Sequence, residues 1–286
     1  LSQAVTARTA SHIRELVEGW RAAHQTVALV PTMGNLHQGH LSLVELAAEE
    51  ADRTVVSIFV NPTQFGPDED FAAYPRTLNE DRALLADAGL VDALFVPDVA
   101  EIYPFGADNA VRIVMPALSH ELCGASRPGH FDGVASVVCR LLHIVGPDVL
   151  VLGRKDYQQL ILIERMIADL RMPVHVVAGA TQRHEDGLAI SSRNRYLTAE
   201  ERRHAPVLHA TLERVMEAIR IGERDYAALQ VGAIKALREA GFEPDYVEVR
   251  QAQSLAKPNG QHRASDLVVL GAAWLGKARL IDNISV

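Results

Sequence analysis

The fold that this 286-residue chain predicts is α/β: a doubly wound parallel sheet followed by a smaller C-terminal α+β domain. Three observations carry that expectation. Short apolar runs alternate with amphipathic stretches through the first two thirds, the pattern of βαβ units. The unusual polar clusters fall directly after apolar runs, where open parallel sheets place their ligands. Beyond about residue 185 the texture changes to two long helical patterns and then three strand-like runs. The predicted domains are therefore 1–185 and 186–286.

Taken in order, the opening LSQAVTARTASHIREL leads into a helix over Ser11–His24 and lacks the charged-then-apolar layout of a signal peptide. Strands are expected at Val27–Val30, Thr54–Val60, Ala93–Val96, Val149–Leu152 and Val174–Ala178. Helices are expected at Leu41–Ala51, Leu78–Ala88, Gly133–Val145 and Tyr157–Leu170, each showing the 3.6-residue apolar spacing. Residues Gly187–Asn194 form the expected hinge. Thr198-Ala-Glu-Glu201 is a capping box that opens one long helix ending near Gly222. A second helix over Asp225–Ala240 stops at Gly241. Strands at Tyr246–Val249, Leu267–Leu270 and Ala278–Ile281 complete the domain, with Ser254–Ser265 as a loop.

Composition narrows the function. Lys and Arg number 28 against 36 Asp and Glu, a net charge of −8, so the chain lacks the basic face that bulk nucleic-acid binding requires. A local basic pocket for a small polyanion is compatible with that balance. Cys123 and Cys139 form no C-x-x-C pair, in keeping with a reducing cytoplasm. No run reaches the roughly 18–20 apolar residues of a membrane span, so no membrane association is expected.

The most informative segment is Pro31-Thr-Met-Gly-Asn-Leu-His-Gln-Gly-His40. It joins a strand to a helix N-terminus, where backbone N–H groups and the positive end of the dipole favour phosphate. His37 and His40 add hydrogen-bond donors there. Two other readings fit the pair: ordinary solvated or packed histidines, and zinc ligands. The H-x-x-H spacing differs by one from the H-E-x-x-H metalloprotease pattern.

Asn61-Pro-Thr-Gln64 follows the second strand. Uncharged amides hold a carboxylate without a counter-charge, which leaves it nucleophilic where an arginine clamp would dull it. Gly153-Arg-Lys-Asp-Tyr-Gln-Gln159 opens another helix and puts Lys155 in the loop as a phosphate ligand of point-charge type. Ile190-Ser-Ser-Arg-Asn194 offers hydroxyls and a guanidinium suited to a polyphosphate whose charge grows during reaction. Each of these is, alone, also readable as an ordinary polar turn. The P-loop and G-x-G-x-x-G fingerprints are both missing.

Together these residues resemble the pantothenate synthetase (pantoate–β-alanine ligase) family. The resemblance runs in order through PTMGNLHQGH, SIFVNPTQF, YPRT, EIYP, SRPGHFDGV, GRKDYQQL, DGLAISSRN and AAWLGKARLIDN, nearly the whole chain. It implies a Rossmann-like fold of the nucleotidyltransferase type and a C-terminal lid. It also implies a reaction in which ATP activates pantoate as an acyl adenylate that β-alanine then attacks. Carried across motif by motif, Met33, Gly34, His37, Gly39 and His40 would line the ATP cleft, with His40 the proton donor. Gly153, Lys155, Asp156, Ile190, Ser191, Ser192 and Arg193 would hold the nucleotide and its phosphates, and Gln182 would touch adenine through its backbone. His37, His40, Lys155 and Arg193 form the implied catalytic set. Gln64 and Gln159 would bind pantoate, Gln64 would also reach β-alanine, and Asn61 belongs with them. Val134, Val137 and Leu152 would make an apolar wall for the gem-dimethyl group, or ordinary core. The family further implies Mg²⁺ with the ATP, for which Asp81 is the candidate ligand, and a cytoplasmic homodimer.

One departure stands out: Arg154 occupies the position of the glutamate often found in the family's G-E-K-D motif, so no role for an acidic side chain transfers there. Two competing functions remain at this level. A simple nucleotidyltransferase would share the histidine turn but need a second cationic site for a phosphorylated acceptor. A non-catalytic nucleotide-binding protein would have no use for both histidines together with Lys155 and Arg193.

Overall fold

The structure, a computed structural model, describes residues 4–66, 69, 71–72, 74–115, 118–259 and 261–286. The chain divides into two compact units. One contains the residues up to Arg154 together with Leu162–Ala180; the other contains Lys155–Ile161 and Thr181–Val286. The division thus falls at 180/181, against the expected 185/186, and a short piece around Lys155 groups with the second unit.

In the first unit β1 (Val5–Ala7), β2 (Val27–Thr32), β3 (Arg53–Ile58), β4 (Ala93–Phe95), β5 (Val149–Gly153) and β6 (His175–Gly179) form one sheet. Its order is β1-β4-β3-β2-β5-β6 and every pairing is parallel. Leu29, Val30, Val55, Val56, Leu150 and Val151 are wholly buried, as strands covered on both faces require. Around the sheet run α1 (Ala10–Ala22), α2 (Gln38–Glu50), α3 (Leu78–Ala88), the short α4 (Val99–Ile102) and α5 (Cys123–Ser126), α6 (His130–Val145) and α7 (Tyr157–Asp169). The division between the units passes through α7. β2 neighbours β3 on one side and β5 on the other, so the strand order reverses at the carboxyl end of β2. That switch point is where open parallel sheets bind ligands.

Three local differences from the sequence reading have physical causes. β1, read as a lead-in, is a three-residue edge strand registered Val5 to Ala93, too short to show periodicity. α2 begins at Gln38 rather than Leu41, because histidines do the capping that Ser or Asp normally does. α6 begins at His130 rather than Gly133, entered through Gly129 at φ 79°. A Cβ at Gly133 would overlap the Thr63 carbonyl and lie 2.7 Å from Gln64 Cα, so glycine permits α6 to lie against the 62–64 turn.

The second unit contains α8 (Ala199–His204), α9 (Val207–Arg220) and α10 (Tyr226–Glu239), then an antiparallel sheet of β7 (Glu243–Gln251), β8 (Leu267–Leu275) and β9 (Ala278–Ser285). The single helix expected from the capping box is two. Thr198 and Glu201 cap α8 reciprocally as predicted, but Pro206, which has no N–H to donate, separates α8 from α9. Leu212, Ile219 and Leu237 pack with Leu267, Val269 and Ala273 in this unit's core. Each such aliphatic side chain contributes about 1.5–3 kcal/mol by leaving water.

Candidate active site

The expected site residues divide between the two units. Met33, Gly34, His37, Gly39, His40, Asn61, Gln64, Asp81, Val134, Val137 and Gly153 belong to the first. Lys155, Asp156, Gln159, Gln182, Ile190, Ser191, Ser192 and Arg193 belong to the second.

At the end of β2 the chain turns through Gly34 at φ 80° and Asn35 at φ 54° before entering α2. Asp81, on α3 and 3% exposed, anchors this turn. Its Oδ2 accepts the Asn35 N–H at 3.0 Å, its Oδ1 accepts the Leu36 N–H at 2.7 Å, and the Thr77 hydroxyl donates to Oδ2 at 3.2 Å. A side chain on Gly34 would come 3.0 Å from the same carboxylate. Asp81, the candidate metal ligand, is therefore a clamp on the turn. Among the described residues no group of three or more His, Cys, Asp or Glu could hold a metal ion. The donor set does not fit a protein-built Mg²⁺ site.

The two histidines cap α2 together. His37 Nδ1 accepts the Gly39 N–H at 3.2 Å, and His40 Nδ1 accepts the His37 N–H at 3.3 Å, with ring centroids 4.1 Å apart. A nitrogen that accepts carries no proton, so each ring is neutral with its hydrogen on Nε2. Both imidazoles lie at the N-terminus of α2. A Cβ at Gly39 would sit 3.1 Å from the His37 ring, a tight contact to which the ring would have to yield.

Beside β3, Asn61 and Gln64 are buried. Asn61 Nδ2 donates to Gln64 Oε1 at 3.0 Å and to the Gly133 carbonyl at 3.2 Å. Its Oδ1 accepts from the Tyr103 hydroxyl at 2.7 Å and from the Thr63 N–H and hydroxyl. Asn61 is thus occupied in orienting Gln64, whose Nε2 donates to Met33 Sδ at 3.2 Å. Val134 and Val137, on α6, are buried. Gly153 ends β5 in contact range of Leu43.

In the second unit, Lys155 Nζ lies 3.8 Å from the Asp156 carboxylate. The carbonyl of Lys155 accepts from Asn283 Nδ2 at 2.9 Å. Gln159 is half-buried, whereas Gln158 is the buried member of the pair. Gln182 lies beyond β6. Arg183 bridges Ala189, and the Gln182 carbonyl accepts the Ile190 N–H at 2.9 Å, which makes 182–190 a small hairpin. The chain then passes through Ser191, whose hydroxyl caps a 3-10 turn at Arg193 N–H, 3.3 Å. Arg193 makes no ion pair among the described residues. Lys155, Ser191, Asn194, His209 and Asp282 line a small recess. Asn194 Oδ1 is buried there without a partner among the described residues, an acceptor for a ligand or water donor.

The hairpin is held by a charge cluster that the sequence reading passed over. Asp282, on β9 and 5% exposed, accepts both arms of Arg183 at 2.7 and 2.8 Å and faces His209 Nδ1 at 3.1 Å. Arg183 also donates to the Gly187 carbonyl at 3.0 Å, which closes the hairpin tip. Burial raises the Asp282 carboxyl's affinity for a proton, but the His209 and Arg183 hydrogen bonds and the Arg183 charge outweigh it, and the group sits below its ordinary 3.8. Asp282 falls in the quoted LIDN run, yet nothing in one sequence pairs it with a residue 99 positions away.

An open parallel sheet with a helix N-terminus at its switch point defines the class, an α/β protein of the doubly wound type. The family model described as pantoate–β-alanine ligase matches residues 5–285. Pantothenate synthetase of Nitrosococcus oceani is 53% identical over 279 residues, covering 98% of this chain and 96% of that protein. The Alkalilimnicola ehrlichii pantothenate synthetase is 54% identical with the same coverages. The crystal structure of pantothenate synthetase from Thermus thermophilus superposes with a TM-score of 0.88 at 45% identity, covering 98% of this chain and 99% of that one. Pantoate–β-alanine ligase from Francisella tularensis, solved with β,γ-ATP and β-alanine, gives 0.80 at 35% identity over 99% of this chain and 97% of its own. The chain belongs to the pantoate–β-alanine ligase family.

Two outcomes follow from the clamps. Asp81→Asn replaces one acceptor with a donor facing a backbone N–H and should destabilise the protein by about 1–3 kcal/mol. The fall in Tm should be the same in EDTA as in Mg²⁺, whereas a metal ligand would lose stabilisation only in Mg²⁺. Because the Asp282 pKa is depressed on folding, its contribution is complete above the ordinary value and is lost as pH falls below it towards the folded value. Urea titrations below about pH 4 should therefore show a shallower loss of stability with acid in Asp282→Asn, which also loses about 3 kcal/mol at neutral pH.

Proposed function

We propose that this chain is an ATP-dependent ligase that joins pantoate to β-alanine to give pantothenate, AMP and pyrophosphate. The observation that carries the reading is family membership across residues 5–285 combined with the paired-histidine cap at the switch point. Pantoate's carboxylate attacks the α-phosphorus of ATP, the bond to the β,γ-pyrophosphate breaks, and pantoyl adenylate forms. The β-alanine amine then attacks the acyl carbon, loses a proton, and AMP leaves with the electron pair of the acyl–oxygen bond.

The residues divide the work by chemistry. The Nε2–H groups of His37 and His40 donate to phosphate oxygens as charge develops, with Lys155 and Arg193 as point and forked cations. Removal of one such donor costs on the order of 10² to 10³ in rate. Gly34 and Gly153 keep the strand ends open to nucleotide, and Gly39 does the same at the first turn of α2. Asp156, Gln182 and the Ile190–Ser191–Ser192 segment are the second unit's contribution to nucleotide binding. Gln64 and Gln159 take pantoate's polar atoms, Gln64 also reaches β-alanine, and Val134 and Val137 face the gem-dimethyl group. Neutral amides leave the pantoate carboxylate unpaired and nucleophilic. No step runs through a protein-held metal; Mg²⁺ enters as part of its ATP complex. The enzyme works as a homodimer in the cytoplasm. Among the described residues no helix is long and apolar enough to cross a membrane.

Labelled pyrophosphate should exchange into ATP when pantoate is present and β-alanine is left out. Exchange only on addition of the amine would overturn the acyl-adenylate step. Gln64→Ala should raise the apparent KM for pantoate roughly tenfold or more, the scale of one lost hydrogen bond to a charged group. A primary loss of ATP affinity would reassign the residue.

A further inference from the structure

We propose that His130 is a positioning residue for the carboxylate substrate, fixing Gln64 through its backbone. The inference rests on the reading of Gln64 as the pantoate amide and adds the device that holds it.

Three side chains run in series to Gln64. Glu69 accepts from Arg127 Nε at 2.8 Å and from its Nη2 at 2.7 Å, a bidentate pair that fixes the guanidinium plane. The third nitrogen, Nη1, lies 2.9 Å from His130 Nε2. On the other side of the ring, His130 Nδ1 lies 2.8 Å from the Gln64 carbonyl oxygen. A guanidinium can only donate and a carbonyl can only accept. The ring is therefore neutral, accepting at Nε2 and donating from Nδ1. This tautomer is the opposite of that in His37 and His40, which carry their hydrogens on Nε2. His130 is buried, its ring edge-on to Phe131 at 5.0 Å, so it has little freedom to turn away.

What the series secures is the backbone under a side chain that is itself held at both ends. Asn61 fixes Gln64 Oε1 and Met33 receives Nε2, which sets the polarity of the carboxamide. That orientation is useful only if Cα is fixed, and Cα is fixed from α6. Gly133 lets the helix approach and His130 supplies the directed bond. The Glu69 carboxyl is held below its ordinary value, chiefly by the Arg127 hydrogen bonds, which favour the ionised form that keeps Arg127 oriented.

The test compares His130→Ala with His130→Asn, whose Nδ2 reproduces the Nδ1–H donor. In His130→Ala, amide exchange of the 61–65 peptide should quicken at least tenfold without substrate. The apparent KM for pantoate should rise about tenfold while that for ATP stays within twofold. His130→Asn should return both readouts to within about threefold of wild type. If His130→Ala matches wild type in exchange and in KM, the proposal fails. It fails equally if Asn and Ala lose the same activity with the same drop in Tm, which is the signature of a merely structural role. Quickened exchange with an unchanged pantoate KM would overturn the substrate role. In that case, an unchanged pantoate KM in Gln64→Ala places the error in the reading of Gln64, and a raised one places it in the link from His130. Should the alanine variant fail to fold, Arg127→Lys provides the second arm: it keeps the charge, loses the fork, and should loosen the same peptide.

Discussion

The turn after β2 has to present backbone and imidazole donors outward while keeping its own N–H groups from collapsing inward. Asp81 resolves that conflict by taking the two amides, Asn35 and Leu36, that point into the protein. The remaining geometry depends on this bond pair. With the turn fixed, α2 starts at one angle, the two histidine rings come within capping reach of each other's backbone, and the strand end stays open at the switch point. A turn held by water instead would leave its dihedrals, two of them left-handed, without anything to select them.

The second unit solves a similar problem with charge. Its hairpin over 182–190 has a single bridge, too few ladder bonds to hold itself. Asp282 anchors it from the sheet by pairing with Arg183 and His209 at once, which settles the lone pairs that burial would otherwise leave exposed to cost. Both units therefore use one buried carboxylate to fix a segment rich in donors. In both, the carboxylate is remote in sequence from the segment it fixes.

That remoteness explains what could be read from the sequence. The alternation of β and α elements, the switch-point turn, the Thr198 cap and the amide pair after β3 follow from local patterns, and they appear at the expected places. β1 escaped notice because three residues carry no period, and the helix after Thr198 was read through Pro206 because its apolar spacing continues across the break. Asp81 stands out in the sequence for its charge, and the structure adds two backbone amide partners to it: a carboxylate looks alike in sequence whether it faces a cation or a backbone amide. Asn61 groups with Gln64 by spacing, and the structure shows its polar atoms shared among Gln64, Gly133, Tyr103 and Thr63. Gly133, His130 and Asp282 all lay inside quoted motifs, but their importance is a matter of distance in space.

The reciprocal cap of α2 has a consequence for how substitutions there should be interpreted. On the proposed function His37 and His40 are donors to a ligand as well as parts of the helix start, so an alanine at either position removes two things together. The loss measured would mix a frayed first turn with a missing proton donor, and the two contributions would not add when both rings are removed. An asparagine, which can accept from the same backbone amide, would keep the helix start while removing the imidazole. The pair thus behaves as one thermodynamic unit, and assigning a separate share of catalysis to each histidine has no meaning in this fold.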